Sequence, residues 1–374
     1  MELSLPVSSL SKELGLMQGV VEKRTTHQIL SNVLLEATEA RLTLTATDLD
    51  TTIVSELTDV TTRTTGAVTV PARRLHDVVR ELPPDAEIRL KVLENHHVQI
   101  ECKDPKLRIR LNGLPATDYP TRPEAAGGPT LTLSLGALKR MVEKVRFAVS
   151  VEEMRLQLQG ALLKPKGDSA EMAATDGHRL ALVEVEGAVS EPGFEPVLVS
   201  RKVLEELSRL DAPPETPVTI TRGANHIGIS VGSRRLFSKL EDRRFPDYEK
   251  VIGKENDKRA VVDREALLGA VRRISLLSGD RTKAVTISFR PGAVVVSSES
   301  QEVGEGDQEV ACSYANDPVN LRLNARYLEQ FLEVADTNQV DLLLKDESSQ
   351  CQGRPSEAVP GLKSYLYVVM PLRM

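Results

Sequence analysis

Three segments of the 374-residue chain are variations on one pattern: VPARRLHDVVREL at 70–82, VSRKVLEELSRL at 199–210 and LNARYLEQFLEVA at 323–335. Each runs from an apolar residue through a cap-type residue and a basic residue into apolar positions at helical spacing. Pro71, Ser200 and Asn324 correspond, and they stand 129 and 124 residues apart. A period of about 125 residues is far longer than the roughly 20 to 50 of a solenoid repeat, and it matches the usual size of one domain. The chain therefore reads as three like-folded domains in tandem, spanning 1–126, 127–253 and 254–374.

Each third opens with a strand and an amphipathic helix. Val7, Leu10, Leu14, Met17 and Val21 fall at helical steps, as do Leu135, Leu138, Met141, Val142 and Val145, and then Leu267, Val271 and Ile274. Strand-like runs follow at 40–50, 169–185 and 292–300, and Leu35 to Thr47 repeats the spacing of Leu163 to Thr175, so the first two copies align best. Beyond the repeated helix, runs such as AEIRLKVLENHHVQIEC, TPVTITRGANHIGISV and SYLYVVMPL alternate between turn residues and predict hairpins. Stretches rich in Pro, Gly and charge at 116–130 and 242–259 separate the thirds. About eight strands and two helices per domain, antiparallel and segregated, make an α+β fold. Two helices cannot cover both faces of so many strands, so they are expected on one side.

With 40% hydrophobic and 27% charged residues, each third can bury a core of its own. The opening MELSLPVSSLSKELG lacks a basic start before an apolar core, which predicts no secretion signal. No apolar run approaches the roughly 18 residues of a membrane helix, and a cytoplasmic protein is expected. Cys102, Cys312 and Cys351 are odd in number and widely spaced, which suits neither a disulfide framework nor a zinc site. A net charge of −6 argues against coating nucleic acid with the whole surface but not against one basic face. The absence of Trp, with only 6 Phe and 6 Tyr, counts against reading single strands by base stacking.

Neither a GxxxxGK[ST] loop, a GxGxxG after a strand, a GxSxG elbow nor an HExxH helix is present. No cofactor or metal is expected. Asp176 and His178, two residues apart, could form an acid/base pair. Thr47-Asp48 occupies the place of Thr175-Asp176 in the first repeat without any His, which favours a strand end whose side chain bonds the following turn. A β-rich hydrolase using Asp176 and His178 stays open here, as does a binding scaffold with no role on DNA.

Arg73, Lys202 and Arg326 each fall two residues after the cap position, in a first helical turn, where a cation opposes the helix dipole by about 0.3 to 1 kcal/mol. Three repeats of a locally unfavourable choice suggest an external anion. Further basic residues gather on the early helices: Lys139, Arg140, Lys144 and Arg146, then Arg264, Arg272 and Arg273, with only Lys12 in the first copy and Lys23 and Arg24 beyond it. Solvated helix faces would explain each cluster singly. Gathered on one side, they would form a stripe suited to the phosphate backbone of a duplex, bound without regard to sequence.

From end to end the chain resembles the bacterial sliding clamp family, the beta subunit of the replicative DNA polymerase III. The resemblance is carried by ATDLD (46–50), VPAR (70–73), LPATDYP (114–120), ATDGHRLAL (174–182), SKLEDRRFPDY (238–248) and YVVMPLRM (367–374). It implies a non-catalytic processivity factor in DNA replication: a head-to-tail homodimer of three-domain subunits, helices lining a ring, antiparallel sheets outside. The implied partners are double-stranded DNA, the replicative polymerase subunit, the clamp loader and other proteins with a clamp-binding motif.

The same resemblance implies residue roles. Arg24, Arg73, Lys139, Arg155, Arg201, Lys202 and Arg326 are DNA-lining candidates. A pocket for an extended peptide with large apolar residues would comprise Leu158, Thr175, Gly177, His178, Arg179, Leu180, Pro246, Val251, Asn324, Tyr327, Val368, Val369, Met370, Pro371, Leu372 and Arg373. From the residues alone, 368–372 is a buried final strand. Ile109, Leu111, Leu276 and Leu277 would meet at the dimer seam. Leu156 and Gln157 follow Arg155 where an aromatic pair can occur in the family, Lys250 stands where Arg is frequent, and 351–364 is long and rich in Gly and Pro.

Overall fold

In a computed structural model of the chain the described residues are all but 23–26, 126, 241–242, 254, 280–282 and 373–374. Their six α-helices fall into two repeating sets: α1 (Val7–Met17), α3 (Leu135–Val145) and α5 (Arg264–Ser275), and α2 (Ala72–Arg80), α4 (Arg201–Arg209) and α6 (Ala325–Val334). Every one follows directly on a short strand. The alternation of the strand switches to helical spacing without a loop, as at Thr130–Ser134 into α3 and Val319–Asn324 into α6.

The apolar stripes read from sequence are buried. Val7, Leu10, Leu14 and Met17 of α1 are at most 2% exposed, Leu135, Leu138, Met141, Val142 and Val145 of α3 at most 1%, and Leu267 and Val271 of α5 are wholly inside. Each contributes about 1.5 to 3 kcal/mol by leaving water. Val21 lies beyond the end of α1 and is only half-buried. Pro71 is not a side-chain cap, having no acceptor to offer. Ser200 and Asn324 do cap: Ser200 Oγ accepts from the Val203 N–H at 3.4 Å and Asn324 Oδ1 from the Arg326 N–H at 3.0 Å.

The chain packs as two compact units, Met1–Gly136 with Ser190–Phe194 and Glu205–Glu241, and Ala137–Val189 with Glu195–Leu204 and Asp242–Met374. The middle third contributes to both. In the first unit, Thr51–Leu57 pairs antiparallel with Arg234–Lys239, Ile53 opposite Leu236, so strands of the first and middle thirds run on as one sheet. Beneath that seam, the buried Glu13 carboxylate of α1 accepts both from Arg234 Nε at 2.9 Å and from its Nη2 at 2.5 Å. A second sheet in this unit has the order Thr61–Thr64, Glu2–Pro6, Glu87–Val92, Val98–Cys102, Leu107–Leu111.

The second unit repeats the arrangement between the middle and last thirds. Arg179–Glu186 pairs antiparallel with Leu362–Val369, with Leu180 opposite Val368 and Arg179 opposite Val369. The segment 351–364 is more ordered than its Gly and Pro content suggests. Cys351–Pro355 is a strand between Gln339–Leu344 and Leu362–Val369, and Gly353 is required there because a Cβ would stand 2.6 Å from the Phe331 ring of α6. Lys144 is not on a polar helix face. Its side chain is 1% exposed, and its ammonium donates to Asp336 Oδ1 at 2.7 Å and to the Val334 carbonyl at the end of α6. Arg264 also turns inward, donating to the carbonyls of Leu332 and Thr337 at 3.1 Å each. Both cations satisfy acceptors that a helix C-terminus leaves open, which is why they left the expected stripe.

Candidate functional site

A tight turn at 175–179 builds one end of the site. Thr175 Oγ1 accepts from the Gly177 N–H at 3.1 Å and donates to the Arg179 carbonyl, while Asp176 Oδ1 accepts from the N–H groups of His178 at 3.0 Å and Arg179 at 3.1 Å. The first third repeats this atom for atom. Thr47 Oγ1 accepts from Leu49 N–H at 3.0 Å, and Asp48 Oδ1 from Asp50 at 3.1 Å and Thr51 at 2.6 Å. Gly177 adopts φ +89° and Leu49, at the same place, φ +79°. The Thr-Asp pair is thus turn chemistry in both copies, and His178 is an exposed residue on its tip.

Arg179 ties the turn to α6. Its Nε donates to Asp176 Oδ2 at 3.0 Å, its Nη1 to Gln330 Oε1 at 2.6 Å, and its Nη2 to the Phe147 carbonyl. The guanidinium carbon lies 4.2 Å from the centre of the Tyr327 ring and 5.2 Å from that of Phe147, and the residue is 8% exposed. Burial, and after it the neighbouring Asp176 carboxylate, push the Tyr327 hydroxyl above the ordinary phenol range. Arg155 donates to the Asp176 carbonyl at 3.1 Å and pairs with Glu152 at 3.0 Å, so it braces the outside of the same turn.

The C-terminal tail closes the other side. Past the strand end at Val369, the Met370 N–H donates to the His178 carbonyl at 2.9 Å and the Leu372 N–H to the Arg322 carbonyl at 2.7 Å. Tyr367, 1% exposed, anchors the strand from below, stacked on Phe331 at 5.0 Å and donating to the Tyr327 carbonyl at 2.8 Å. Leu180 and Val368 pack with Ala173, Leu198, Phe245 and Tyr248 in one apolar cluster. Tyr248 also closes a polar group with Lys164, at 2.7 Å, and Glu171; burial, then the Glu171 carboxylate, push its hydroxyl up to about 12.

The residues assigned by resemblance to a peptide pocket therefore sort into two levels. Gly177, His178, Pro246, Val251 and Met370 are exposed, and Thr175, Asn324, Tyr327, Pro371 and Leu372 are partly so. Leu158, Arg179, Leu180, Val368 and Val369 lie beneath, each at most 8% exposed, where they hold the others in place. Arg373 lies outside the described residues.

Of the basic residues expected to line DNA, Arg73, Lys202 and Arg326 are each the second residue of α2, α4 and α6. Arg73, Arg201 and Arg326 are exposed, and Lys139, Lys202 and Arg155 partly so. Arg24 lies outside the described residues. For the expected seam, Ile109 and Leu111 are half-buried on Leu107–Leu111, a strand that among the described residues has a neighbour on one side only. Leu276 is 77% exposed; Leu277 is half-buried against Gly306, where a Cβ would stand 2.7 Å from its Cδ1.

Sequence reasoning missed the strand Gly304–Ser313. It pairs with Ala293–Ser300 along its length but with Lys258–Asp263 only at Cys312 and Ser313. Its alternate residues Glu305, Asp307 and Glu309 are exposed, and that period-two acid pattern was the available signal. Among the described residues no helix is long and apolar enough to cross a membrane, and no group of three or more His, Cys, Asp or Glu is placed to hold a metal ion.

Three family models match in order: the N-terminal domain of DNA polymerase III beta subunit over residues 1–123, its central domain over 132–247 and its C-terminal domain over 249–373. The chain is 36% identical to the beta sliding clamp of Pseudomonas putida over 374 residues and 30% identical to that of Escherichia coli, in both cases covering 100% of each chain. Its fold is similar to the solved DNA polymerase III subunit beta of Pseudomonas aeruginosa, with a TM-score of 0.92 and 33% identity across 100% of both chains. The Bartonella birtlesii sliding clamp, solved with griselimycin bound, matches equally well, with a TM-score of 0.92 and 33% identity over 100% of both. With all three thirds matched in sequence and fold, the chain belongs to the beta sliding clamp family, and is a non-catalytic DNA polymerase processivity factor of three tandem clamp domains.

Proposed function

We propose that two copies of the chain join head to tail into a ring that encircles duplex DNA in the cytoplasm and tethers the replicative polymerase, the clamp loader and other clamp-binding proteins. The domains would be 1–126, 127–253 and 254–374. The observation that carries the DNA reading is the threefold placement of Arg73, Lys202 and Arg326 at the second position of α2, α4 and α6. A cation there opposes the helix dipole each time, and phosphate groups supply the compensating anion. Lys139 and Arg201 are further candidates for phosphate contact, and Arg24, which lies outside the described residues, is a candidate by resemblance alone. Arg155, braced by Asp176 and Glu152, is the weakest of the DNA contacts.

Dimer formation is supported by two complementary strand edges. Leu107–Leu111 offers Arg108 and Arg110, exposed, alternating with the apolar Leu107, Ile109 and Leu111. Gly304–Ser313 offers Glu305, Asp307 and Glu309 on an edge that, among the described residues, is paired with Lys258–Asp263 only at Cys312 and Ser313. Pairing such edges adds main-chain hydrogen bonds and register, and Leu276 with Leu277 would cover the apolar side. The partner peptide would sit on Gly177, His178, Pro246, Val251 and Met370–Leu372, with Arg179 and Leu180 beneath; griselimycin in the Bartonella birtlesii clamp gives that family a precedent for a ligand-binding face. Sedimentation tests the pairing. A species of twice 41.0 kDa at micromolar concentration is expected, reduced to a single copy by Leu111→Asp. A chain that is monomeric before any substitution would contradict the ring.

A further inference from the structure

The five-strand sheet of the first unit buries Leu3, Leu5, Ile88, Leu90 and Ile100. Alternation therefore turns Ser4, Arg89, Glu101 and Arg108 to the outward face, and these four stand opposite one another in register across four strands. Along that row lies a trough of about 940 Å³, lined also by Arg63 and by Lys103, Asp104 and Lys106 of the hairpin turn at 103–106. It belongs wholly to the first unit, whereas the residues of the proposed peptide pocket belong to the second.

Cations outnumber the carboxylates that face them here. Glu2 is shared by Arg63 at 3.5 Å, by Lys91 at 3.8 Å and by Arg89, and Glu101 by Arg89 at 3.6 Å and Arg108 at 3.2 Å. Lys103 and Lys106 are exposed, and among the described residues neither is held in an ion pair. Glu87 and Asp104 return two negative charges, so six cations face four carboxylates on a chain whose net charge is −6. Exposed ion pairs contribute at most about 1 kcal/mol each. Fold stability gives no reason for the surplus, whereas an anionic occupant would use it.

The carboxylates inside the trough decide which anion fits. A phosphate backbone carries a charge at every step and would meet Glu87, Glu101 and Asp104 along with the cations. A polypeptide can set its carboxylates singly, with neutral residues between them. From Thr61–Thr64 to Leu107–Leu111 is four inter-strand spacings, roughly 19 Å, which is the length of about six extended residues. We propose that this trough docks an extended, Asp- or Glu-bearing segment of a partner protein. Its contribution is electrostatic and exposed, so it falls as salt rises.

Three short fluorescent peptides, alternating Ser with Glu, Gly or Lys, would be titrated against the full-length chain at low and high salt, beside a single-stranded oligonucleotide of the same charge as the Glu peptide. At low salt the Glu peptide should bind about three- to tenfold more tightly than the Gly peptide, with the Lys peptide weakest, and the spread should collapse at high salt. Arg108 stands on the strand proposed for the dimer seam, so the two lysines of the turn are the residues to change. Lys103→Glu with Lys106→Glu should abolish the preference at unchanged dimer mass; if that pair does not fold, Lys103→Gln with Lys106→Gln should weaken it in the same direction. Equal affinity of the three peptides, binding of none, or a preference that survives the lysine changes overturns the proposal. So does a preference lost on Arg73→Glu alone, which would put the peptide on α2, or tighter binding of the oligonucleotide, which would give the trough to nucleic acid.

Discussion

The buried guanidinium of Arg179 reaches from the turn at 175–178 to the side of α6, 4.2 Å above the Tyr327 ring and 2.6 Å from Gln330 Oε1. The turn that carries the proposed peptide site is therefore held by the helix whose second residue is Arg326. Arg179→Ala would leave the largely buried Asp176 carboxylate with its two backbone N–H donors but without its ion-pair partner, at a cost of about 3 to 5 kcal/mol. Arg179→Lys keeps the charge but loses the fork and the stacking, costing about 1 to 2 kcal/mol. Thermal melting and peptide titration on both variants check this. Peptide affinity should fall more steeply than stability in the Lys variant, because the His178 carbonyl that holds Met370 shifts with the turn.

Lys144 is a buried cation whose role is internal. Lys144→Met preserves the packing of its stem but leaves the Val334 carbonyl without the ammonium and Asp336 without its ion pair, and destabilisation of about 1 to 3 kcal/mol is expected. DNA retention by the folded variant should not change. A loss of retention at unchanged stability would place Lys144 on the DNA-facing surface instead.

Leu49 holds a left-handed backbone at φ +79° with its side chain 59% exposed, where the second copy of the turn has Gly177. Leu49→Gly should stabilise the chain by about 0.5 to 1 kcal/mol, the relief of left-handed strain exceeding the added freedom of the unfolded chain. Chemical denaturation measures it. A destabilised variant would mean that Leu49 makes packing contacts in the assembled protein.

Acid should loosen the second unit first. Burial acts to raise the Glu171 carboxyl, but hydrogen bonds from Tyr248 and Lys164 outweigh it and hold the group below its ordinary 4.5; Glu184 is lowered likewise through Lys166 and Ser169, against its own burial. At Asp341, Arg259, Ser356 and Arg354 outweigh burial and hold the carboxyl below 3.8. A lowered carboxyl contributes stability that is complete above its unfolded value and is lost as pH falls through its folded value. Melting temperature should thus be level down to about pH 5 and fall below about 4.5, and Glu171→Gln should flatten part of that fall. An unchanged slope in the variant would assign the acid sensitivity to other groups.

Periodicity made the threefold repeat legible, because the same strand-to-helix switch recurs around Pro71, Ser200 and Asn324 and the buried stripes of α1, α3 and α5 keep strict spacing. Lys144 and Arg264 were misplaced because a sequence shows that a helix has a basic residue, not that a carbonyl at the end of α6 lies within its reach. The strand Gly304–Ser313 was passed over because its exposed positions are acidic and glycines occupy residues 304 and 306, so it lacks the β-branched run that marks a strand. The proposed peptide-site residues came from resemblance, and their sorting into two levels was not legible: that Arg179 and Leu180 lie beneath Gly177 and His178 depends on the pairing with Val368 and Val369, nearly 190 residues away in the chain.

The central claim is topological, and one measurement addresses it directly. Loaded onto closed circular duplex DNA and passed through a gel-filtration column, the chain should stay with the circle, and it should be lost once the circle is cut at a single site. Reversing Arg73, Lys202 and Arg326 to Glu should reduce loading without altering the dimer mass. Equal loss from closed and cut DNA would contradict a ring that encircles the duplex.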